Sequence, residues 1–345
     1  MDNQHIHDPV SAGLLAGVDI GGTKCAVVLA RPAREPGAEP EVLGRMEFPT
    51  EFAGGPGAML DKLRGALESL LAAAGAEGKS GVRIGISCGG PLNSREGLVL
   101  SPPNLPGWDR VPVVEYFRAA FAHRTPAAVK LENDANAGAL AEWKYGAGRG
   151  CGSLVFLTFG TGFGAGLILD GRLYRGVSDQ AGEIGHVRAA ETGPVGYGKA
   201  GSFEGFCSGG GLAQSARVRV LERLQRGEKP ALCPDAAQLD RLTARTVADA
   251  ADRGDELALQ IYRECGARLG QCLSLLVDLL APERIVIGSI FTHSRDLLWP
   301  AAREVLERET LPYARAGCEV VPAALGRRIG DLAALAIAET EDQES

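Results

Sequence analysis

A single histidine between two glutamates, in a stretch crowded with glycine, poses the first chemical question. In QAGEIGHVRAAETGPVGYGKAGSFEGF (180–206), Glu183 and His186 stand three apart, and Glu204 follows a run holding Gly193, Pro194, Gly196, Gly198 and Gly201. Repeated glycines raise the entropic cost of ordering and Pro194 removes a donor, so the run is not a regular helix. Such residues could bind a metal, ring a substrate with hydrogen bonds, or form an ordinary surface loop. A second candidate is ENDANA (132–137), where Asn133 and Asp134 fall between a β-prone run and a helical one. Ligands of α/β sheets collect at that kind of junction. Asp134 there is either a helix N-cap or a general base that takes a proton from an attacking hydroxyl. Spacing alone leaves both open.

Two glycine turns suggest phosphate chemistry. DIGGTK (19–24) follows an apolar strand, so backbone N–H groups can approach a phosphate while Asp19 holds Mg²⁺ through water. A strand rather than a helix follows, so this is not a Walker A loop, and an ordinary hairpin turn is the competing reading. FGTGFGAG (159–166) places glycine at 160, 162, 164 and 166, which is not the dinucleotide spacing G-x-G-x-x-G. Small residues at alternate positions bare one side of the backbone for a ligand or for close sheet packing. RIVIGS (284–289) ends an apolar strand at Gly288, against which an adenosine could lie.

The elements that would carry these residues alternate strand and helix, as in layered α/β proteins. LLAGVDIGGTKCAVVLA (14–30) reads as a hairpin, 57–75 as a helix, 82–87 as a buried strand and 88–112 as a loop rich in Gly, Pro and Asn. The strand 127–133 runs into a helix stopped by Gly146, and a second glycine hairpin begins at Ser153. Strand, glycine turn, strand therefore occurs twice, which predicts two similar α/β lobes. A long helix over 255–281, the strand 284–289 and further helical stretches complete the chain. With 345 residues, 45% of them hydrophobic, the chain can bury more than one core. A net charge of −7 with no basic block argues against nucleic-acid or anionic-membrane surfaces. The eight cysteines lack C-x-x-C spacing and several sit in apolar runs, as buried thiols of a reducing compartment do. The polar opening 1–11 reads as disordered and is no signal peptide; with no apolar run of about 20 residues, a cytoplasmic location is expected.

Taken in order, GVDIGGTK, ENDANAGALAEW, FLTFGTGFGAGLILDGRLYRG, AGEIGH, SFEG and IVIGS resemble the ROK family of bacterial sugar kinases and repressors, from about Gly17 to the last helix. The resemblance implies an actin-like, hexokinase-like (ribonuclease H-like) α/β fold. One lobe would span 12–130, completed by a C-terminal helix near 329–342, and the other 131–328, with ligands in an inter-lobe cleft. It implies Asp134 as catalytic base, and Asn133, Glu183, His186 and Glu204 as sugar ligands, with Gly90 and Asn104 reaching the sugar from the first lobe. Asp19, Gly21, Gly22, Thr23 and Lys24, with Gly160, Thr161, Gly162 and Gly164, match its two phosphate loops, and Gly288 its adenosine motif. The implied reaction is ATP- and Mg²⁺-dependent phosphorylation of a hexose or N-acetylhexosamine at the 6-hydroxyl, by a homodimer.

Departures from the family pattern refine this. The family's zinc motif, C-x-C-G-x-x-G-C-x-E completed by the histidine, reads VGYGKAGSFE here, with Val195, Tyr197 and Ser202 at the cysteine positions. Structural zinc takes four N, S or O ligands, so no zinc is expected. The usual Gly-Gly of the adenosine motif is Gly288-Ser289, and Asp331 stands where small residues are usual. A sugar-sensing pseudokinase without a DNA-binding domain is the alternative; a repressor would carry a helix-turn-helix region, and sixteen residues precede Gly17.

Overall fold

The computed structural model describes residues 13–35, 37–76, 81–124 and 127–340. The segment 1–11, the acidic tail beyond 340 and the expectations attached to them lie outside these residues. The chain divides into two compact units. The first runs to Arg149 and includes Gly176–Asp179 and the chain from Arg327; the second is Gly150–Arg175 and Gln180–Gly326.

In the first unit β1 (Leu14–Ile20) and β2 (Lys24–Arg31) form the expected hairpin, and β3 (Glu41–Pro49) adds antiparallel to β2. Helix α1 (Gly55–Ala73) leads to β4 (Val82–Cys88), which pairs parallel with β1. A small hairpin of β5 (Leu92–Asn93) and β6 (Leu98–Val99) and the helix α2 (Val113–Ala120) occupy the region expected as loop and its end. Then β7 (Ala127–Asn133) pairs parallel with β4 and feeds α3 (Asp134–Tyr145). The sheet order is β3-β2-β1-β4-β7. β1 and β2 are apolar on both faces because both are covered, whereas β3 is mostly exposed along its length. That exposure is why β3 carries no continuous apolar signal in the sequence.

The second unit repeats the plan with β8 (Leu154–Phe159), β9 (Phe163–Leu169) and β10 (Arg172–Leu173) antiparallel. A short hairpin, β11 (Val195–Gly196) and β12 (Lys199–Ala200), precedes the helices α4 (Phe203–Phe206), α5 (Gly209–Gln225), α6 (Ala244–Asp252) and α7 (Glu256–Leu280). β13 (Arg284–Ile287), α8 (Ile290–Glu309), α9 (Pro312–Ala316) and β14 (Glu319–Pro322) follow. The order β10-β9-β8-β13-β14, with β13 parallel to both β8 and β14, is the order of the first sheet. Each unit closes its own apolar cluster, one around Ile84, Phe117 and Trp108, the other around Leu157, Phe203 and Leu269.

The last helix, α10 (Ile329–Ala338), belongs to the first unit. So does α3, although the sequence reading opened the second lobe at residue 131; the contacts of 131–149 are with the first sheet and α10. Tyr145 donates to Glu339 at 2.5 Å and Lys144 lies 3.3 Å from the same carboxylate, tying α3 to α10. α10 packs so closely on β4 that a Cβ on Gly85 would stand 2.1 Å from Ala334 O and 2.5 Å from Ala338 N. Both obstacles are backbone and cannot rotate away. Gly85→Ala should therefore lower unfolding stability by about 2 kcal/mol or more, read from urea denaturation against wild type.

Candidate functional site

The functional candidates gather in two clusters, one within each unit. In the first, three residues join β1 to β2. Gly21 N donates to Lys24 O at 3.1 Å, and a Cβ on Gly21 would stand 2.6 Å from that oxygen, so the tight turn needs glycine. Gly22 is bare for another reason: Asn104 lies over it, and a Cβ there would meet Asn104 O at 2.5 Å. Asn104 thereby comes to the hairpin, and its amide also lies near Gly89. Gly90 is open, with nothing within 4 Å of a Cβ built on it. Thr23 and Lys24 are exposed. Lys24 Nζ meets Glu47 Oε2 at 2.9 Å, Arg45 reaches the same oxygen at 2.6 Å, and Arg45 Nε donates to Asp331 Oδ2 at 2.7 Å.

The question at the β7–α3 junction resolves in favour of Asn133 as the cap. Its Oδ1 accepts from Asn136 N at 2.7 Å, in the extended conformation usual for an N-cap. Its amide NH₂ remains the group it can offer a ligand. Asp134 is the first helical residue and is exposed to solvent. The crowding of protein around its carboxyl raises it above the ordinary aspartate range, against backbone N–H groups of Ala135 and Asp134 that lower it. Asp19, at the end of β1, is half-buried, and burial pushes it up to about 6. The charges of Asp134 and Asp331 push in the same direction, while a hydrogen bond with Ser87 and the Lys24 charge oppose them. Gly330, in the first turn of α10, leaves the room: a Cβ there would stand 3.0 Å from Asp19 Oδ2.

The second cluster is built around the β8–β9 turn. Gly160 N donates to Gly162 O at 3.1 Å, Gly160 O accepts from Gly209 N at 2.8 Å, and Thr161 is exposed at the tip. Glu204 enters this turn directly: Phe163 N donates to its Oε2 at 3.1 Å, and a Cβ on Gly162 would lie 3.0 Å from the same oxygen. Gly164 continues the strand, paired with Thr158. Glu183 and His186 bracket a single 3₁₀ turn, Ile184–His186, and both are exposed. Gly185 between them allows contact with the hairpin, since a Cβ there would fall 1.8 Å from Phe163 O. The structure therefore brings Glu183, His186, Glu204 and the second glycine hairpin together. Gly288 N donates to Leu157 O at 3.0 Å, and Ser289 beside it places its Oγ 3.4 Å from a Cβ built on Gly160.

The residues at the zinc-motif positions do not fit a zinc ion. Val195 has no donor atom, Tyr197 faces the His186 ring edge-on with centroids 6.3 Å apart, and Ser202 Oγ accepts from Gly205 N at 3.1 Å as the α4 cap. Among the described residues no group of three or more His, Cys, Asp or Glu side chains converges on one point. Asp331 was visible in the sequence as an irregularity, but its partner Arg45 lies 286 positions away and nothing in the pattern pairs them. All eight cysteines are free, and burial raises those at 25 and 88 beside the acidic cluster, so neither is a ready nucleophile.

Known proteins resemble this chain along nearly its whole length. The ROK family model matches residues 15–341, and the chain belongs to the ROK family. It is 31% identical over 332 residues to the glucokinase of Streptomyces coelicolor, covering 96% of this chain and 99% of that protein. The crystal structure of the ROK hexokinase of Thermus thermophilus superposes with a TM-score of 0.74 at 29% identity, over 94% of this chain and 97% of that one. A ROK glucokinase from Streptomyces griseus, solved in complex with glucose and AMPPNP, gives 0.69 at 28% identity over 95% and 98%. The fold is the actin-like α/β fold of these kinases.

Two predictions follow from the geometry. Asp19 binds its proton more tightly folded, at about 6, than unfolded, at 3.8. Its ionisation therefore lowers stability progressively as pH rises through that interval, and makes no difference below it. In metal-free buffer Asp19→Asn should match wild type near pH 3.5 and exceed it at pH 7.5, by about 2 kcal/mol, in paired denaturation curves. Ser289 holds φ +52° and ψ −113°, a conformation that suits glycine, with no side-chain capping bond in return. Ser289→Gly should raise the thermal midpoint, a gain of about 1 kcal/mol net of glycine's greater unfolded-state freedom.

Proposed function

We propose that the chain is a sugar kinase that transfers the terminal phosphoryl group of ATP, with Mg²⁺, to the 6-hydroxyl of a hexose or N-acetylhexosamine, with Asp134 as general base. The observation that carries this reading is the division of labour at the β7–α3 junction. Asn133 performs the capping that would otherwise explain an aspartate there, which leaves the Asp134 side chain, raised above the ordinary aspartate range by the protein crowded around it, available to take a proton. The hydroxyl proton passes to Asp134 as the hydroxyl oxygen attacks the γ-phosphorus, and ADP leaves with the bridging oxygen.

Backbone amides of Gly21, Gly22, Thr23, Gly160, Thr161, Gly162 and Gly164 would face phosphate oxygens, with Gly288 against the adenosine. Mg²⁺, bound with the nucleotide, neutralises phosphate charge. Asp19 would hold it through water. The AMPPNP complex of the Streptomyces griseus protein supports ATP as donor. Asn133, Glu183, His186 and Glu204 would pair with sugar hydroxyls, joined by Gly90 and Asn104. A pocket that hydrogen-bonds each hydroxyl rejects analogues that lack one. The family resemblance adds a homodimer working in the cytoplasm.

ADP release from Mg-ATP across a panel of hexoses and acetamidohexoses tests the reading. One or a few sugars should support turnover, and Asp134→Asn should lower kcat about 10²–10⁴-fold with a thermal midpoint no lower than that of wild type. Near-full activity in that variant would remove Asp134 from the role, and silence across the whole panel from folded wild type would remove the kinase.

A further inference from the structure

In zinc-bearing relatives, as the motif implies, one ion ties three loop positions to the histidine. Here each of those four positions makes a protein contact instead. Val195 is gripped from α5 by Gln214, whose Oε1 accepts from Val195 N at 2.8 Å and whose Nε2 donates to Val195 O at 3.0 Å. Both backbone groups of one residue are thus satisfied by one carboxamide, as a neighbouring strand would satisfy them. Tyr197 sets its ring edge-on to His186, and Ser202 caps α4, the helix that bears Glu204. The His186 carbonyl accepts from Lys199 Nζ at 2.7 Å.

A second side chain reaches the same loop from α7. The Arg268 guanidinium lies 4.9 Å from the centre of the Phe206 ring, and its Nη1 donates to Ala189 O at 3.4 Å and to Gln271 Oε1 at 3.0 Å. Ala189 is three residues from His186 and Phe206 two from Glu204, so the grip falls just outside the pair. Glycines let the loop close on itself: a Cβ on Gly196 would stand 2.5 Å from Gly205 N, and one on Gly205 2.1 Å from Pro194 O.

We propose that Gln214 and Arg268 form a metal-independent clamp that holds His186 and Glu204 in register, and that Gln214 is a positioning residue for the sugar acceptor. The second half rests on the functional reading of His186 and Glu204; the first half does not. Gln214 acts at the backbone position where a cysteine–zinc bond would act, and it touches no substrate.

Three measurements on wild type and Gln214→Met, which keeps side-chain length and loses both hydrogen bonds, decide the matter. Metal analysis of wild type should find no stoichiometric zinc, and a chelator should leave its thermal midpoint in place. Amide hydrogen exchange should accelerate in Gln214→Met across 189–205, while β8, β9 and α7 keep wild-type protection. The acceptor KM should rise about tenfold with the ATP KM unchanged, the effect of two lost hydrogen bonds on a positioned loop. Gln214→Glu, which keeps the acceptor atom and loses the donor, should fall between; it carries the same comparisons if the methionine variant does not fold. One zinc per chain whose removal lowers the midpoint would overturn the clamp, as would unchanged exchange across 189–205. Accelerated exchange with an unchanged acceptor KM in an active enzyme would overturn the positioning role. Accelerated exchange in a protein that phosphorylates no sugar would leave the clamp standing and sink the functional reading instead.

Discussion

The close approach of α10 to the first sheet is the constraint on which the first cluster depends. Gly17 and Gly85 remove the side chains that would keep the helix away from β1 and β4, and a Cβ at either would strike helix atoms. Backbone contact of this kind leaves little freedom, because protein interiors are packed as densely as organic crystals. With the helix seated, Gly330 and Asp331 come to the end of β1, where Asp19 stands. Glu339, the C-cap of the same helix, holds α3 through Tyr145 and Lys144. The segment from 327 to 340 thus finishes a cluster whose other members come from the first 134 residues.

Electrostatics follows from that seating. Asp19, Asp134 and Asp331 share one neighbourhood, and their mutual repulsion adds to the burial that raises Asp19. Asp331 has an exposed counter-charge in Arg45, which shares Glu47 with Lys24. These pairs are solvent-exposed and individually contribute little to stability. Their consequence is local: they fix where positive charge stands beside the β1–β2 hairpin.

In the second cluster, the residues at the zinc-motif positions are held by protein contacts. Val195, Tyr197 and Ser202 each make a contact that suits its own chemistry: backbone pairing with a carboxamide, ring against ring, and a helix cap. Phe203 and Ser202 are fully buried beneath the loop, so packing contributes as well. Ser289 is a departure of the opposite kind, a side chain in a conformation that suits glycine. The hydroxyl it adds stands over Gly160 in the glycine hairpin. Its side chain makes no capping bond to α8 in return.

The sequence by itself determined what depends on neighbours along the chain. Both glycine hairpins, the long helix ending at Leu280 and the β7–α3 junction follow from local periodicity, turn residues and capping, and all lie where those patterns put them. The ROK resemblance was carried by the same short motifs. Tertiary structure decided whatever needed a distant partner. β3 and α2 were not legible, the first because its exposed faces give no apolar run, the second because eight residues after a proline-rich loop hold too few turns to show a period. The allocation of α3 to the first unit came from its packing on α10, about two hundred positions away. Capping by Asn133 rather than Asp134 was a choice between adjacent residues that only φ/ψ and the bond to Asn136 could make. Gln214 and Arg268 look like ordinary helix residues, because a carboxamide or a guanidinium announces no partner until the fold brings one within hydrogen-bond reach.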